Sequence, residues 1–465
     1  MEVVISNKIY VENYSQELLQ WVEKNLTIIN PKWQTLKKMG KDDTIYRCHI
    51  PQYIKIYSQR GNTLIIPFGC LRGIWEFIKN EKLVLKLNDS DYNISNKNNP
   101  VKLNLFFYQK EAIGKMVKAK GGVLVSPCGS GKTICGIEII HWIGKRFLWI
   151  THTGDLLRQT LSRMLHLYPT LDIGLITEGE INIGKDGCIA TVQTLSNVDV
   201  EDFKDYFDVI VVDECAHVSG APTLTKMFQK VLDSFPARYK FGLTATPSRS
   251  DTLINTMYAY LGLSPQGYFE PTFKVDKEKV KTMIAEHQKV DIPFAIDFNM
   301  LNADGTFDYF RLIEFISNNK KRNDIIVENV IENKNKGRKQ VILCQLVSHC
   351  EYLQQQLLEK GVKSELLVGK VKPKARDRIL NNPNEWDVIV STYKLLKEGV
   401  DVKELDTLHL CTPQVDKATV VQCVGRIERF ANNKQQPIVY DYVDTKIPYC
   451  ENSFTKRFRF IKKRY

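Results

Sequence analysis

Short apolar runs alternate with longer amphipathic stretches along most of the chain beyond residue 100. Each run is too short for a helix, and most are bounded by turn or polar residues. Continuous apolar runs of this kind are typical of parallel strands that are buried on both faces. Their alternation with helical segments therefore predicts parallel α/β sheets. The runs cover residues 123–125, 147–150, 173–176, 188–191, 209–212 and 239–243, and then 340–343, 364–368, 386–390, 407–410 and 437–443.

These runs form two series, which predict an α/β fold with two tandem parallel-sheet domains at residues 101–250 and 321–465. Residues 1–100 mix strand-like and helical segments and end in an Asn-rich polar stretch. We therefore expect a small α+β domain at the N-terminus, joined to the rest by a linker.

Between the two series, over residues 251–320, the alternation weakens and indicates a connector with a small insertion. Residues 267–275 and 290–298 have the pattern of strands. Residues 277–287 have the pattern of a helix.

Composition narrows the class of protein. The 465 residues contain no run of about twenty apolar residues, so we expect no membrane span, and the first residues do not resemble a secretory signal. The 11 cysteines are scattered without zinc-ligand spacing, which favours reduced thiols, a cytoplasmic location (host cytoplasm if viral) and no structural metal. A formal net charge of +12 favours a polyanionic partner such as nucleic acid without requiring one.

Two segments combine basic and aromatic residues, and each has two interpretations. Residues 1–100 either present a nucleic-acid surface or hold core aromatics beneath a solvated basic face. The basic tail at residues 456–465 either grips phosphates or forms a helix that docks Phe458 and Ile461 on the second domain.

The candidate chemistry begins with residues 126–133, which follow an apolar run and precede a helical one. Gly129 and Gly131 let backbone N–H groups turn toward a phosphate, at the positive end of the next helix. Lys132 would hold the β- and γ-phosphates by charge, and Thr133 would bind Mg²⁺ through its hydroxyl. The full phosphate-loop pattern opens with Gly, and here Ser126 stands in that place.

Two carboxylates follow the apolar run at residues 209–212. Asp213 and Glu214 would lie at the carboxyl edge of a parallel sheet, where ligands bind in such folds. Asp213 is a candidate Mg²⁺ ligand, and Glu214 is a candidate base for an attacking water. Thr244 and Thr246, after the next run, are placed to hydrogen-bond the same segment.

Together these residues resemble the motifs of the superfamily 2 helicases and translocases, and the resemblance spans about residues 103–445 in the right order. The small residue at Ser126 is usual in that family. In the first domain the matches are Tyr108 with Gln109 (the glutamine element) and residues 126–133, 153–159, 191–195, 213–217 and 244–247 (motifs I, Ia, Ib, II and III). In the second they are residues 341–349, Thr392 with 398–401, and 422–429 (motifs IV, V and VI).

The resemblance implies two RecA-like domains, with ATP in the cleft between them and Mg²⁺ as cofactors. It assigns Glu214, Lys132, Gln422, Arg426 and Arg429 to catalysis, with Arg429 as the arginine finger. The cofactor contacts that it implies are Tyr108, Gln109, Gly129, Ser130, Gly131, Lys132, Thr133, Asp213, Gly399 and Asp401, with Thr133 and Asp213 on the metal. The residues that it places against nucleic acid are Thr153, Arg158, Gln193, Thr194 and Thr392.

Within the superfamily, residues 241–251 look like the group that holds the repair helicase XPB, the restriction-type translocases and the UvsW-type phage helicases. That likeness implies an ATP-dependent motor, monomeric when free, that remodels branched or forked DNA. An RNA helicase, or a nucleic-acid-binding protein with a vestigial ATP site, stays an alternative. Motif II has Ala216 where close relatives have His, so the role of His217 is open.

Overall fold

The fold is given by a computed structural model, which describes residues 1–94, 103–127, 129–177, 180–216, 222–245, 254–262, 270–276, 280, 283–293, 307–399, 402–431 and 434–462. The chain divides into two compact units. The first comprises residues 1–127 and 131–280, and the second comprises residues 281–465 with 128–130.

The first unit opens with a mixed sheet in the order β5-β6-β2-β1-β7, antiparallel except for the parallel pair β1 and β7. In β1 and β2 every second residue is buried, because alternate side chains of a strand point to opposite faces. A separate antiparallel pair joins β3 to β4. The elements are β1 Glu2–Ile5, β2 Lys8–Glu12, α1 Gln16–Leu26, β3 Thr27–Ile29, α2 Pro31–Lys38, α3 Asp42–Arg47, β4 Tyr53–Lys55, β5 Ser58–Arg60, β6 Thr63–Pro67, α4 Leu71–Ile78 and β7 Lys82–Leu85.

The rest of the first unit is an eight-stranded sheet in the order β11-β10-β12-β9-β13-β14-β8-β15, parallel except for β10 and β11. Strands β8, β9 and β13 are buried along their whole length, as expected of strands covered on both faces. The elements are α5 Phe107–Ala119, β8 Gly121–Val125, α6 Lys132–Ile143, β9 Phe147–Thr151, α7 Gly154–Leu167, β10 Ile173–Thr177, β11 Glu180–Ile181, β12 Gly187–Thr191, α8 Val192–Asn197, β13 Val209–Asp213, α9 Pro222–Ser234, β14 Tyr239–Thr244, α10 Ile254–Leu261 and β15 Phe273–Lys274.

The N-terminal sheet shares one hydrophobic core with the parallel sheet. Phe68 belongs to the same buried cluster as Phe235 and Tyr258. The contact is tight at Gly69, where an added Cβ would lie 2.6 Å from the carbonyl oxygen of Tyr258. The polar stretch after β7 also packs on the parallel sheet, since the Asn88 side chain donates to the Phe207 carbonyl at 3.0 Å. Residues 1–94 are therefore packed against the rest of the first unit and are not a loosely tethered appendage.

The second unit is a six-stranded, all-parallel sheet in the order β16-β21-β20-β17-β19-β18. The elements are β16 Glu286–Ile292, α11 Tyr309–Asn318, α12 Lys320–Asn335, β17 Gln340–Cys344, α13 Val347–Glu359, β18 Ser364–Leu367, α14 Pro373–Asn381, β19 Val388–Thr392, α15 Tyr393–Gly399, β20 Thr407–Leu410, α16 Lys417–Ile427, β21 Ile438–Asp444 and α17 Pro448–Lys462.

The C-terminal helix α17 packs on the second sheet. Its Arg457 is 1% exposed and makes two hydrogen bonds to the buried carboxylate of Asp441, at 2.8 and 2.6 Å. Ile461 is also buried, and the ring of Phe458 lies 5.5 Å from that of His287. The docked-helix interpretation of the tail therefore holds for its described part, while Lys456, Arg459 and Lys462 remain exposed.

The predicted fold class, two tandem parallel-sheet α/β domains, is confirmed. The helix predicted over residues 277–287 is wrong at its end, because Glu286 and His287 begin strand β16. Residues of the predicted connector add β15 to the edge of the first sheet and β16 to the edge of the second. Among the described residues, no helix is both long and apolar enough to cross a membrane.

Two buried histidines should make the second unit sensitive to acid. His409 is hydrogen-bonded to Tyr442 and Gln340, and His349 is hydrogen-bonded to Asn323. Burial lowers the pKa of His409 to about 3, and burial with nearby Arg322 lowers the pKa of His349 to about 3. In the unfolded chain both pKa values lie near the ordinary value of about 6.5.

The free energy of unfolding of this unit should therefore decrease as the pH falls below about 6.5, because only the unfolded chain takes up these protons. Each histidine contributes a limiting slope of about 1.4 kcal/mol per pH unit. Hydrogen exchange of β17 and β20 in denaturant at pH 7.5 and pH 5.5 measures the change in the free energy of unfolding between the two pH values. The variant His349→Gln should make this change smaller by about 1.4 kcal/mol, and an unaltered change in that variant would contradict the assignment.

Candidate nucleotide site and nucleic-acid residues

Three neighbouring strands of the first sheet end close together. Thr244 at the end of β14 pairs with Val125 of β8 on one side, and Leu243 pairs with Asp213 of β13 on the other. The backbone N–H of Ser126, directly after β8, donates to the carbonyl of Thr244 at 3.0 Å. Because the strands are parallel, their carboxyl ends bring the phosphate-loop and Asp-Glu segments to one edge, as the sequence predicted.

The loop after β8 has the backbone conformation that its glycines permit. Gly129 and Gly131 have φ angles of +78° and +82°, which side-chain-bearing residues rarely adopt. Gly131 caps helix α6, and an added Cβ there would lie 2.4 Å from the side-chain nitrogen of Gln109. Lys132 and Thr133 then form the first turn of α6, where backbone N–H groups are unpaired within the helix. Cys128 lies outside the described residues.

The loop lysine lies beside the two carboxylates. Lys132 Nζ is 3.9 Å from Glu214 Oε1, with both side chains largely buried. Glu214 has a φ of +49°, and its backbone N–H donates to Asp213 Oδ1 at 3.0 Å. This turn places the two adjacent acidic side chains at the end of β13 within reach of Lys132.

Asp213 is 4% exposed, and its surroundings raise the pKa of its carboxyl group. Burial, followed by the charge of Glu214, raises the pKa of Asp213 to about 6, while Lys132 and Arg163 act to lower it. A carboxylate in this setting is stabilised by an added cation. Together with the Thr133 hydroxyl it offers the oxygen ligands that Mg²⁺ prefers, so these residues fit the metal that the resemblance implies.

Arg163 is a member of this cluster that the sequence analysis missed. It lies in helix α7, and burial lowers the pKa of its guanidinium, with Asp213 acting in the opposite direction. An arginine in an amphipathic helix usually faces solvent, so its position in the sequence gave little indication of this role.

The glutamine element lies against the loop. Gln109 is buried, and its Oε1 accepts the backbone N–H of Phe106 at 3.0 Å, which caps helix α5. Tyr108 is also buried, with its ring stacked on that of Phe106 at 5.6 Å between centroids. Burial, with a smaller effect of Cys135, raises the pKa of Tyr108 to about 12. The contact of both residues with adenine stays a prediction.

The predicted nucleic-acid residues of the first unit make contacts within the fold. Thr153 Oγ1 caps α7 by accepting the N–H of Leu156 at 3.3 Å. Gln193 donates to the carbonyl of His152 at 3.0 Å, which links the segments of motifs Ia and Ib. The Thr194 hydroxyl lies 2.9 Å from that of Thr191. Arg158 is exposed and pairs with Asp155, so among these residues its side chain is the most open to a partner.

The candidate residues of the second unit lie at the ends of its elements. Gln422 and Arg426 belong to α16, which ends at Ile427, so Arg429 lies beyond the helix and not on its face. Between them Glu428 is buried and accepts the N–H of Ala285 at 3.1 Å, which fixes the turn that carries Arg429. Thr392 ends β19 and Gly399 ends α15. Asp401, His217 and Thr246 lie outside the described residues.

Two protein families match the chain over its two parallel-sheet regions. The family described as "Type III restriction enzyme, res subunit" matches residues 102–249. The family described as "Helicase conserved C-terminal domain" matches residues 321–431. The two matches contain all the candidate residues in their respective regions.

Among curated proteins, one of Acanthamoeba polyphaga mimivirus, named as an ATP-dependent RNA helicase, is 26% identical over 426 residues, which cover 88% of this chain and 78% of the relative. The "DNA 3'-5' translocase XPB2" of Sulfurisphaera tokodaii is 29% identical over 150 residues, 32% of each chain.

A solved structure of Dbp5 from S. cerevisiae, bound to RNA and ADP BeF3, is similar in fold. Its TM-score is 0.56 at 15% sequence identity, and the match covers 85% of this chain and 92% of that one. Similarity at this identity concerns the fold alone.

Proposed function

Because the chain belongs to the superfamily 2 helicases, which use ATP and a divalent metal to act on nucleic acid, we propose that it is an ATP-driven DNA helicase or translocase acting on branched or forked DNA. The observation that carries the proposal is the cluster of Lys132, Asp213 and Glu214 beside a loop with two glycines of positive φ. This arrangement combines a phosphate-binding cation, a metal ligand and a base at one sheet edge.

Each residue of the cluster, and each of three further candidate residues, has a distinct role in this proposal. Lys132 and the N–H groups at the start of α6 bind the β- and γ-phosphates, and Thr133 with Asp213 holds the metal. When bound, ATP with Mg²⁺ supplies the phosphoryl group whose transfer to water releases the free energy for movement. Glu214 orients the attacking water and accepts its proton, and Arg426 and Arg429 stabilise negative charge on the γ-phosphate.

Two observations support DNA as the substrate. Motif II reads Asp-Glu-Cys-Ala-His and not Asp-Glu-Ala-Asp, which argues against the DEAD-box RNA helicases. The relative with the highest identity quoted above is named a DNA translocase. RNA is a second candidate, because the mimivirus relative, which is matched over 426 residues, is named an RNA helicase.

ATP hydrolysis by the full chain should be stimulated more by forked DNA and four-way junctions than by blunt duplex, and least by RNA of the same sequence. Steady-state ATPase assays at saturating nucleic acid compare the four substrates directly, and strand-separation assays with the same molecules test for remodelling. Stimulation by RNA equal to or above that by forked DNA would replace the DNA proposal with the RNA alternative.

A further inference from the structure

A helical arm projects from the chain between β3 and β4. We define this basic arm as residues 30–52, which include α2 and α3. Its base is closed by the pairing of Ile29 with Tyr53 and by Asn30. The Asn30 side chain caps α2 by accepting the N–H of Lys32 at 3.0 Å and donates to the carbonyl of Pro51 at 2.9 Å. The two ends of the arm are therefore fixed to each other.

The side chains of the arm are largely exposed to solvent. Neither α2 nor α3 contains a buried residue. Tyr46 is 82% exposed and Met39 is 63% exposed, and Tyr53 at the base is 52% exposed. Helices of this length gain little stability in water without a packed face, and here almost no apolar area is buried to stabilise them. This surface is therefore largely free to contact a partner.

The charge of the arm identifies the kind of partner. Its charged residues give a net charge of +3 with His49 neutral: Lys32, Lys37, Lys38, Lys41 and Arg47 against Asp42 and Asp43. All five basic side chains are exposed. Lys37 pairs with Asp42 at 2.9 Å, which leaves most of the positive charge facing solvent beside an exposed tyrosine ring.

We propose that the basic arm is a DNA-binding element, separate from the nucleotide site, which contacts the phosphate backbone next to an unpaired base. Exposed lysine and arginine side chains bind phosphates and release counterions. An exposed tyrosine ring stacks on any unpaired base, because every base has an aromatic face. The proposal rests on the proposed function in that it takes DNA as the partner.

The first test removes charge from the arm. The variant Lys38→Ala/Lys41→Ala/Arg47→Ala is compared with a control, Lys24→Ala/Lys118→Ala/Lys360→Ala, which removes the same charge from exposed lysines elsewhere. Fluorescence anisotropy without ATP measures the Kd for forked DNA over a series of salt concentrations. The arm variant should raise Kd at least tenfold near 100 mM salt and reduce the slope of log Kd against log salt by about two to three.

The control variant should change Kd less than twofold. Both variants alter only exposed side chains, so their thermal melting should match that of the wild type. An equal loss of affinity in the two variants, or no loss in either, would overturn the proposal.

The second test concerns the tyrosine. Tyr46→Ala should raise Kd for forked DNA about five- to tenfold and leave blunt duplex unchanged, while Tyr46→Phe retains binding. Equal effects on forked and blunt DNA would exclude base stacking. These assays measure DNA binding without ATP, so their outcome is independent of the ATPase test. The arm proposal is wrong if the arm variants bind DNA normally, even where DNA stimulates ATP hydrolysis. The proposed function is wrong if DNA does not stimulate hydrolysis, even where the arm binds DNA.

Discussion

Replacing Lys132 with alanine is expected to reduce kcat for ATP hydrolysis by a factor of about 10²–10³ or more, while the affinity for DNA stays within twofold of the wild type. Removing one preorganised positive charge from a phosphoryl-transfer site typically has an effect of this size. Lys132 lies 3.9 Å from Glu214 and lowers the pKa of Asp213. Its loss therefore removes a group that binds phosphate and also removes positive charge that stabilises the carboxylates of Asp213 and Glu214.

The companion variant Glu214→Gln keeps the size of the side chain and removes the base. It should retain ATP binding and lose hydrolysis, whereas Lys132→Ala should weaken both. The control is Lys118→Ala, an exposed lysine near the end of α5. Steady-state hydrolysis and nucleotide binding measured on all three variants separate the roles. Wild-type turnover in Lys132→Ala would show that the site is assigned wrongly.

Replacing Arg457 with methionine is expected to lower the free energy of unfolding of the second unit by about 3–5 kcal/mol. Although burial acts to raise it, Arg457 and His287 hold the pKa of Asp441 below its ordinary value. Without the guanidinium, the Asp441 carboxylate stays 0% exposed and loses its paired positive charge. Among the described side chains, its remaining hydrogen-bond partner is the His287 ring. An uncompensated buried charge of this kind is costly, although the intact pair contributes little net stability.

Arg459→Met provides the matched control, because Arg459 lies on the same helix and is exposed. It should change the free energy of unfolding by less than about 0.5 kcal/mol. The double variant Arg457→Met/Asp441→Leu should recover most of the loss, because it removes both charges. Denaturant unfolding curves of the three variants provide the comparison. Equal destabilisation by Arg457→Met and Arg459→Met would contradict the buried pair.

Much of the fold could be predicted from periodicity alone. The strands follow the apolar runs within a residue or two, as at β20, where the predicted and observed bounds agree. A short run of apolar residues that is buried on both faces is typical of a parallel strand inside a sheet, which is why the pattern identifies these strands. The error at the end of the helix predicted over residues 277–287 arose where polar and apolar residues alternate without a clear period, which is where pattern alone discriminates poorly.

The positions of the candidate site residues in the fold were predictable, and their contacts were less so. Asp213 and Lys132 could be placed because parallel strands deliver their carboxyl ends to one edge. The partnership of Gln109 with the loop at Gly131 depends on a packing distance that no linear pattern encodes. The same holds for Arg457, since a basic residue in a basic tail gives no indication that its carboxylate partner is buried on a strand.

The core shared by the two sheets of the first unit has a consequence for synthesis of the chain on the ribosome. The N-terminal sheet is complete once Leu85 has emerged, but the residues that cover Phe68 extend to Leu261 at the end of α10. At about 5–20 residues per second, its apolar face stays uncovered for on the order of 10–30 s. During that interval the nascent chain is exposed to aggregation, and binding by a chaperone would protect it until α10 has been made.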